Sequence, residues 1–420
     1  KPPTVYPSHH RWYRHWRNRT LAQQITISTE ANKLEGAIVL AHQHRSPIAL
    51  TVRHSRRQSK SKSHQHHQRP PQPHNQTARP ATATVTMSAP QMSQKDAEAA
   101  ISSESNADDF KDALEDDVGG EGTFQVTQEE LTLIRAELAS EFPEDFTYLS
   151  DAYILSVASK PYSKDPTVRR PIEYSLEKLT SVMKWREEEG APEMAELIDL
   201  ANGPETAPEA VEDPEKLAKA QTMVTALNYG SMYWHGFTKD GRPILWLRTN
   251  RKAWYPDVDA EVNALIVMAD IGIKNMPKGV TDFVCISDSS YPPPPNPTFM
   301  IKMLKALVRG YPDRLQLLLS APVSSIVQFV MNLLLPLMPG RLANKVVLLD
   351  LEGVQENLKD LLFHGENDIP KFFGGPNDHD KYYPEESYCS NKGKGNLKFD
   401  YYGMVERLEA SKKEFEASKK

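Results

Sequence analysis

Apolar residues first recur at helical spacing near Val126. Thr127-Gln-Glu-Glu130 has the form of a capping box, in which Thr accepts from the third amide and Glu130 reaches back. Leu131, Ile134 and Leu138 then continue one face. A second helix is expected over Tyr148–Ser159. A third opens at Pro171, with Ile172, Leu176, Leu179 and Met183 on one stripe and Gly190 as its C′ stop. From Met232 the pattern changes. Pro243–Thr249 reads as a strand after the turn Lys239-Asp240-Gly241, and Asp257–Met276 as a helix capped by Asp257. Then strands at Asp282–Ser287, Arg314–Ser320 and Lys345–Asp350 alternate with helices at Pro297–Gly310, Pro322–Met338 and Val354–Phe363. Strands alternating with helices of ten or more residues predict βαβ units and a mainly parallel sheet. The near-continuous apolar strands predict that both sheet faces are covered.

Between Arg314 and Arg341 no residue is charged. That stretch is long enough to span a bilayer, but Pro322, Pro336 and Pro339 interrupt it and Gln316, Gln328 and Asn332 dilute it. It reads instead as a strand, then a helix with Pro322 in its first turn, where a missing N–H costs nothing. Val323, Ile326, Val327, Val330, Leu334 and Leu337 line one face of that helix, and Phe329, Leu333 and Leu335 leave little of the rest polar. A surface helix normally turns charge outward. This one is either a core helix or a lid over an apolar pocket that leans on lipid.

Charge divides the chain in two. Lys1–Ser88 carries 14 Lys and Arg against 2 Asp and Glu, about +12, and the remainder 36 against 54, about −18. The basic piece, with its His-, Gln- and Pro-rich run, cannot bury a core and reads as a disordered leader or as upstream sequence before Met87. Met87–Gly122 reads as an acidic linker, and Glu406–Lys420 as a solvated helical end. The expected divisions are therefore 1–122, a helical module at 123–225, a domain at 226–385 and a tail at 386–420. Cys285 and Cys389 form neither a disulfide framework nor a zinc site, which suits a reducing, cytoplasmic compartment. No nucleic-acid partner is expected, because the basic stretch Arg53–Lys62 has no aromatic interleaving or fold.

Catalytic signatures are missing. No G-x-G-x-x-G follows a strand, and no Walker A loop or G-x-S-x-G elbow occurs. His235, His364 and His379 have no metal spacing. Asp288, at a strand end, is a lone candidate acid more in keeping with a loop cap. No cofactor and no catalytic residue is expected. Tyr291-Pro-Pro-Pro-Pro-Asn296 stands out as a polyproline II loop, either a rigid spacer or a site for a private partner.

Several stretches are similar, in order, to one family. Gly236-Phe-Thr-Lys-Asp-Gly-Arg-Pro-Ile244, Tyr311-Pro-Asp-Arg-Leu315, Leu318-Leu-Ser-Ala-Pro322, Asn344-Lys-Val-Val-Leu-Leu349 and Ile369-Pro-Lys-Phe-Phe-Gly-Gly375 resemble segments of CRAL-TRIO lipid-binding domains. Lys184-Trp185-Arg186 resembles the end of the helical module that precedes them. The resemblance implies an α/β fold: a mixed, mainly parallel sheet flooring an apolar lipid pocket, a gate helix over it, and a small all-α module in front. It implies a monomeric carrier of a phospholipid that meets membrane surfaces transiently. The pocket and gate would use Phe283, Cys285, Leu318, Val323, Ile326, Val327, Val330 and Leu334. Lys345 and Asp313 fall where phosphatidylinositol binders meet the head group, Asp313 being one methylene shorter than the usual Glu. Such a carrier needs no chemistry: two sixteen-carbon chains hide about 25 kcal/mol, but a bilayer hides the same, so head-group contacts decide which lipid is carried. A tocopherol- or retinoid-like carrier and a lipid-regulated scaffold are the alternatives.

Overall fold

The computed structural model describes residues 124–143, 148–162, 165–202, 213–253, 256–338, 340–384 and 397–419. The leader and linker expected at 1–122 lie outside these residues. Helix α1 (Gln128–Glu141) begins at the expected capping box: Glu130 N donates to Thr127 Oγ1 at 3.2 Å and Thr127 N to Glu130 Oε2 at 2.8 Å. α2 (Asp151–Ala158) is capped by Ser150. α3 (Ile172–Glu188) ends at Gly190, whose φ of +66° is the left-handed stop read from the sequence. These helices share one core, formed by Ile134, Leu138, Tyr153, Val157, Leu179 and Met183.

The module is not all-α. A two-stranded antiparallel ribbon, β1 (Pro161–Tyr162) and β2 (Asp165–Arg169), joins α2 to α3. α4 (Met194–Asn202) and α5 (Pro214–Asn228) then lead into the main sheet. The ribbon is too short to carry an alternating pattern, so periodicity alone does not reveal it.

Five strands follow, β3 (Met232–Phe237), β4 (Pro243–Arg248), β5 (Phe283–Asp288), β6 (Leu315–Ala321) and β7 (Val346–Leu348), hydrogen-bonded in that order. β3 and β4 are antiparallel; the other three pairings are parallel. The sheet is mixed and mainly parallel, as the βαβ pattern requires. β3 is the strand that the apolar pattern did not delimit. Across the register Trp234, Leu245, Cys285, Leu318 and Val346 share one face, and Tyr233, Trp246, Ile286, Leu319 and Val347 the other.

The first face is covered by α6 (Val258–Lys274), α7 (Pro297–Lys305, continued by a π-helical turn to Gly310) and α8 (Ser325–Leu334). Trp234 Nε1 donates to Met268 O of α6 at 2.6 Å. Met300, Leu304, Leu334 and Val346 form a cluster beneath α7 and α8. A short turn, α9 (Gly340–Ala343), precedes β7, and α10 (Leu351–Leu361) follows it, capped by Asp350. The closing segment packs Phe372 and His379 edge-on, and Phe373 at a tilt, against Trp246 of the second face. Its paired glycines are dictated by space: a Cβ on Gly375 would lie 2.1 Å from Ile369 O.

Two expectations are corrected. α8 starts at Ser325, capped by the Ser324 hydroxyl, rather than at Pro322, whose peptide bond from Ala321 is cis. Pro322 therefore belongs to the strand exit, and the serine, which satisfies an orphan amide, sets the helix start. The charged C-terminal stretch is not a solvated end. It is α11 (Tyr401–Ser418), which buries Tyr401, Met404, Leu408 and Phe415. Asn228 Oδ1 accepts from Lys398 N and Phe399 N, fixing its approach.

Candidate functional site

Asp313 sits between α7 and β6 in a left-handed backbone conformation, φ +61°, that non-glycine residues seldom adopt. Its carboxylate pairs with Lys160 Nζ at 2.5 Å, reached from the turn before β1. Asp313, Lys178, Arg341 and Lys345 line a small cleft of about 70 Å³, with Tyr311, Leu315 and Leu342 as its apolar wall. Three lysines, Lys160, Lys178 and Lys345, thus act on one carboxylate, and Arg341 lines the same cleft. Burial pushes the Asp313 carboxyl up, and Lys160, Lys178 and Lys345 together hold it well below the usual carboxylate range. Burial brings Lys160 down to about 8 against the pull of Asp313. The Lys345 ammonium is lowered by burial as well, opposed by Asp313 and Asp282. Lys345 Nζ also donates to Leu315 O at 2.6 Å, which aims the side chain back along β6.

Arg314, next in the motif, is not a surface residue. It is 1% exposed, stacks on the Tyr153 ring at 3.4 Å and donates to Thr281 O. Tyr311 donates to Asp270 at 2.9 Å, and Arg186 meets the same carboxylate at 3.0 Å. Tyr153 Oη donates to Pro312 O at 2.8 Å. The Tyr-Pro-Asp-Arg segment therefore fastens the helical module to the sheet and in doing so places Asp313. Lys160, Lys178 and Arg341 are the residues that sequence reasoning missed, because they come from three separate segments and carry no local signal.

The apolar candidates divide. Leu318, Val330 and Leu334 come together in the cluster under α8. Val327 is buried, Val323 is half-buried and donates its N–H to Leu349 O, and Ile326 is 44% exposed, pointing away from the cluster. Phe283 and Cys285 lie deeper in the same sheet face. Phe283 packs edge-on against Trp234 at 5.5 Å, and burial pushes the Cys285 thiol up to about 12, making it a packing residue without thiolate character. Asp288 proves to be a cap: its Oδ1 accepts from Ser290 N at 3.1 Å and its Oδ2 from Arg248 at 3.0 Å. Among the described residues no three His, Cys, Asp or Glu are placed to hold a metal, and no helix is long and apolar enough to cross a membrane.

Residues 227–375 match the CRAL/TRIO domain. The chain carries a CRAL/TRIO domain. That span begins at the end of α5 and closes on the Gly374-Gly375 turn, so it takes in the whole sheet with α8 and, of the cleft, Asp313, Arg341 and Lys345, whereas Lys160 and Lys178 come from the segment before it. CRAL/TRIO domains in general bind and transfer lipophilic molecules, and residues 227–375 supply such a domain. Among solved structures, the crystal structure of Sfh5 is similar at 14% identity and a TM-score of 0.34, covering 71% of this chain and 93% of that one. No curated protein matches.

Proposed function

We propose that this CRAL/TRIO protein carries a phospholipid with an anionic head group, phosphatidylinositol first among them, and exchanges it between membranes. The observation that carries this reading is the cleft that Asp313 shares with Lys178, Arg341 and Lys345, with Lys160 paired to the Asp313 carboxylate beside it. A net positive, partly desolvated cleft favours a phosphate, and charge-assisted hydrogen bonds to it are about twice as strong as neutral ones. Asp313 holds the lysines in place and offers an acceptor to a ring hydroxyl. The acyl chains would lie under α8, against Leu318, Val330 and Leu334, with α8 as the gate. Its charge-free outer surface, with Ile326 exposed, suits transient contact with a bilayer at the cytoplasmic side. The reading calls for no catalytic residue and no cofactor, and for one copy of the chain.

The test is transfer of labelled phosphatidylinositol and of a neutral lipophile between liposomes. Lys345→Ala should slow phosphatidylinositol transfer about ten- to a hundred-fold, the size of losing one charge-assisted hydrogen bond. Neutral-ligand transfer and melting temperature should hold. Phosphatidylinositol transfer at the wild-type rate would defeat the head-group assignment and leave a tocopherol- or retinoid-like cargo, recognised by shape.

A further inference from the structure

The connection from β5 to α7 runs over residues 289–296, eight residues where such βα loops usually take two to six. Half of it is Pro292-Pro-Pro-Pro295. Proline fixes φ near −65° and disfavours the helical region in the residue before it, so four in a row are held in polyproline II. The run has no N–H donors, and its four prolines are half-buried.

Tyr291, directly before the run, is 88% exposed. Every other exposed large apolar or aromatic side chain among the described residues lies between 44% and 52%. It makes no hydrogen bond and no ring contact with the described residues. Its φ of +53° is unfavourable twice over, for a bulky residue and for one that precedes proline. Such strain persists only where the surroundings impose it.

Those surroundings are firm. Ser289 N donates to Ala321 O at 2.7 Å, Ser290 N to Asp288 Oδ1 at 3.1 Å, and Phe299 N to Asn296 Oδ1 at 3.0 Å. Both ends of the loop are thus tied by short bonds, and the tyrosine is held out between them. A spacer needs neither an exposed aromatic nor a strained one.

We propose that Tyr291–Pro295 is a docking peptide for a proline-recognition module: a protein domain whose groove of parallel aromatic rings clasps a polyproline II helix, with an apolar notch for the leading aromatic. The rigid run arrives preordered, so little conformational freedom is lost on binding. Indole and phenol donors in such grooves would meet the proline carbonyls, and Tyr291 would supply the anchor. This surface is independent of the lipid cargo. It shares a root with α8, because the strand end that Ser289 bonds to is the one from which that helix departs.

The experiment titrates the full chain into isotope-labelled SH3, WW and EVH1 domains and follows the amide shifts of each. At least one domain should bind through its aromatic groove. Tyr291→Ala should weaken that binding about tenfold or more, as expected for an anchoring tyrosine, and Pro293→Ser with Pro294→Ser should abolish it. Melting temperature and lipid loading should be unchanged in both variants. The proposal is overturned if no probe binds the full chain. It is equally overturned if binding survives both variants, or if a synthetic peptide of residues 290–297 binds while the full chain does not.

Discussion

α8 and α11 invert what their compositions suggest. α8 has no charged residue, yet only Val327 and Leu334 are fully buried and Ile326 stands 44% exposed. α11 contains Glu406, Arg407, Glu409, Lys412, Lys413, Glu414 and Glu416, yet it is firmly seated. Its apolar residues are few but fall on one stripe, Tyr401, Met404, Leu408 and Phe415. That stripe meets β3, an edge strand whose exposed backbone invites unwanted pairing. Trp234 N donates to Met404 Sδ at 3.4 Å, and Phe415 packs between Phe237 and Phe363. Gly241 has no Cβ because one would lie 2.5 Å from the Phe415 ring. A helix is seated by a narrow stripe with a complementary partner, not by its total hydrophobicity. The apolar helix that lacks a full partner is the one proposed to meet lipid.

The largest test of that contrast is Phe415→Ala, which should cost about 3–5 kcal/mol in urea unfolding, the usual loss for a buried aromatic. A loss below about 1 kcal/mol would mean that α11 is only an accessory.

The two regions should also fail at opposite ends of the pH scale. Beside α11, burial lowers His379 far below its ordinary value, and burial with Arg407 nearby brings half-buried His235 down to about 4. Both are neutral in the fold, and the unfolded chain takes up protons first. Their contribution is fully present above about pH 6.5 and is lost as pH falls toward 4. A loss of about 1–3 kcal/mol between pH 7 and pH 5 is expected, at 1.4 kcal/mol per pKa unit. His379→Phe should flatten that slope; an unchanged slope would clear His379 of the effect.

Near α8 the sensitive group is Lys160, at about 8. A lysine depressed in the fold is deprotonated there before it is in the unfolded chain, so its ionisation does not unfold the protein as pH rises. What is lost above pH 8 is charge in the cleft. Phosphatidylinositol transfer should fall by several-fold between pH 7 and 9, a tenfold change being 1.4 kcal/mol, and Lys160→Met should remove the dependence while lowering the rate at pH 7. A flat wild-type profile would place the phosphate elsewhere.

The smallest stability effect belongs to Ile326→Asp. Its side chain is largely outside the packed cluster, so unfolding should change by about 0.5 kcal/mol or less. Transfer to liposomes should nevertheless slow, since a carboxylate must then approach the bilayer. Equal transfer would remove α8 from the membrane contact.

Much of this was legible from order along the chain. The capping box at Thr127, the stop at Gly190, the cap at Asp257 and four of the five main strands are local signals, each satisfied by residues a few positions apart. The β1–β2 ribbon and β3 were not, because a strand of two residues has no period and the Met232–Phe237 stretch is buried on both faces. The five family-like segments located the site to within Asp313 and Lys345, but not the other cations, which arrive from segments more than a hundred residues away in the case of Lys160 and Lys178.

The sequence by itself determined the class of fold and the reach of its apolar layer, since periodicity and capping are written in neighbouring residues. It also set the polyproline loop, whose conformation follows from proline covalent geometry. Only the tertiary structure decided that Arg314 is buried under Tyr153, that Asp313 pairs with Lys160 and shares a cleft with Lys178, Arg341 and Lys345, and that a charged C-terminal helix closes the sheet edge. Each of these depends on which distant segment arrives at a given face. No local pattern encodes that choice, because burial is a property of the assembled partner surfaces rather than of either segment alone.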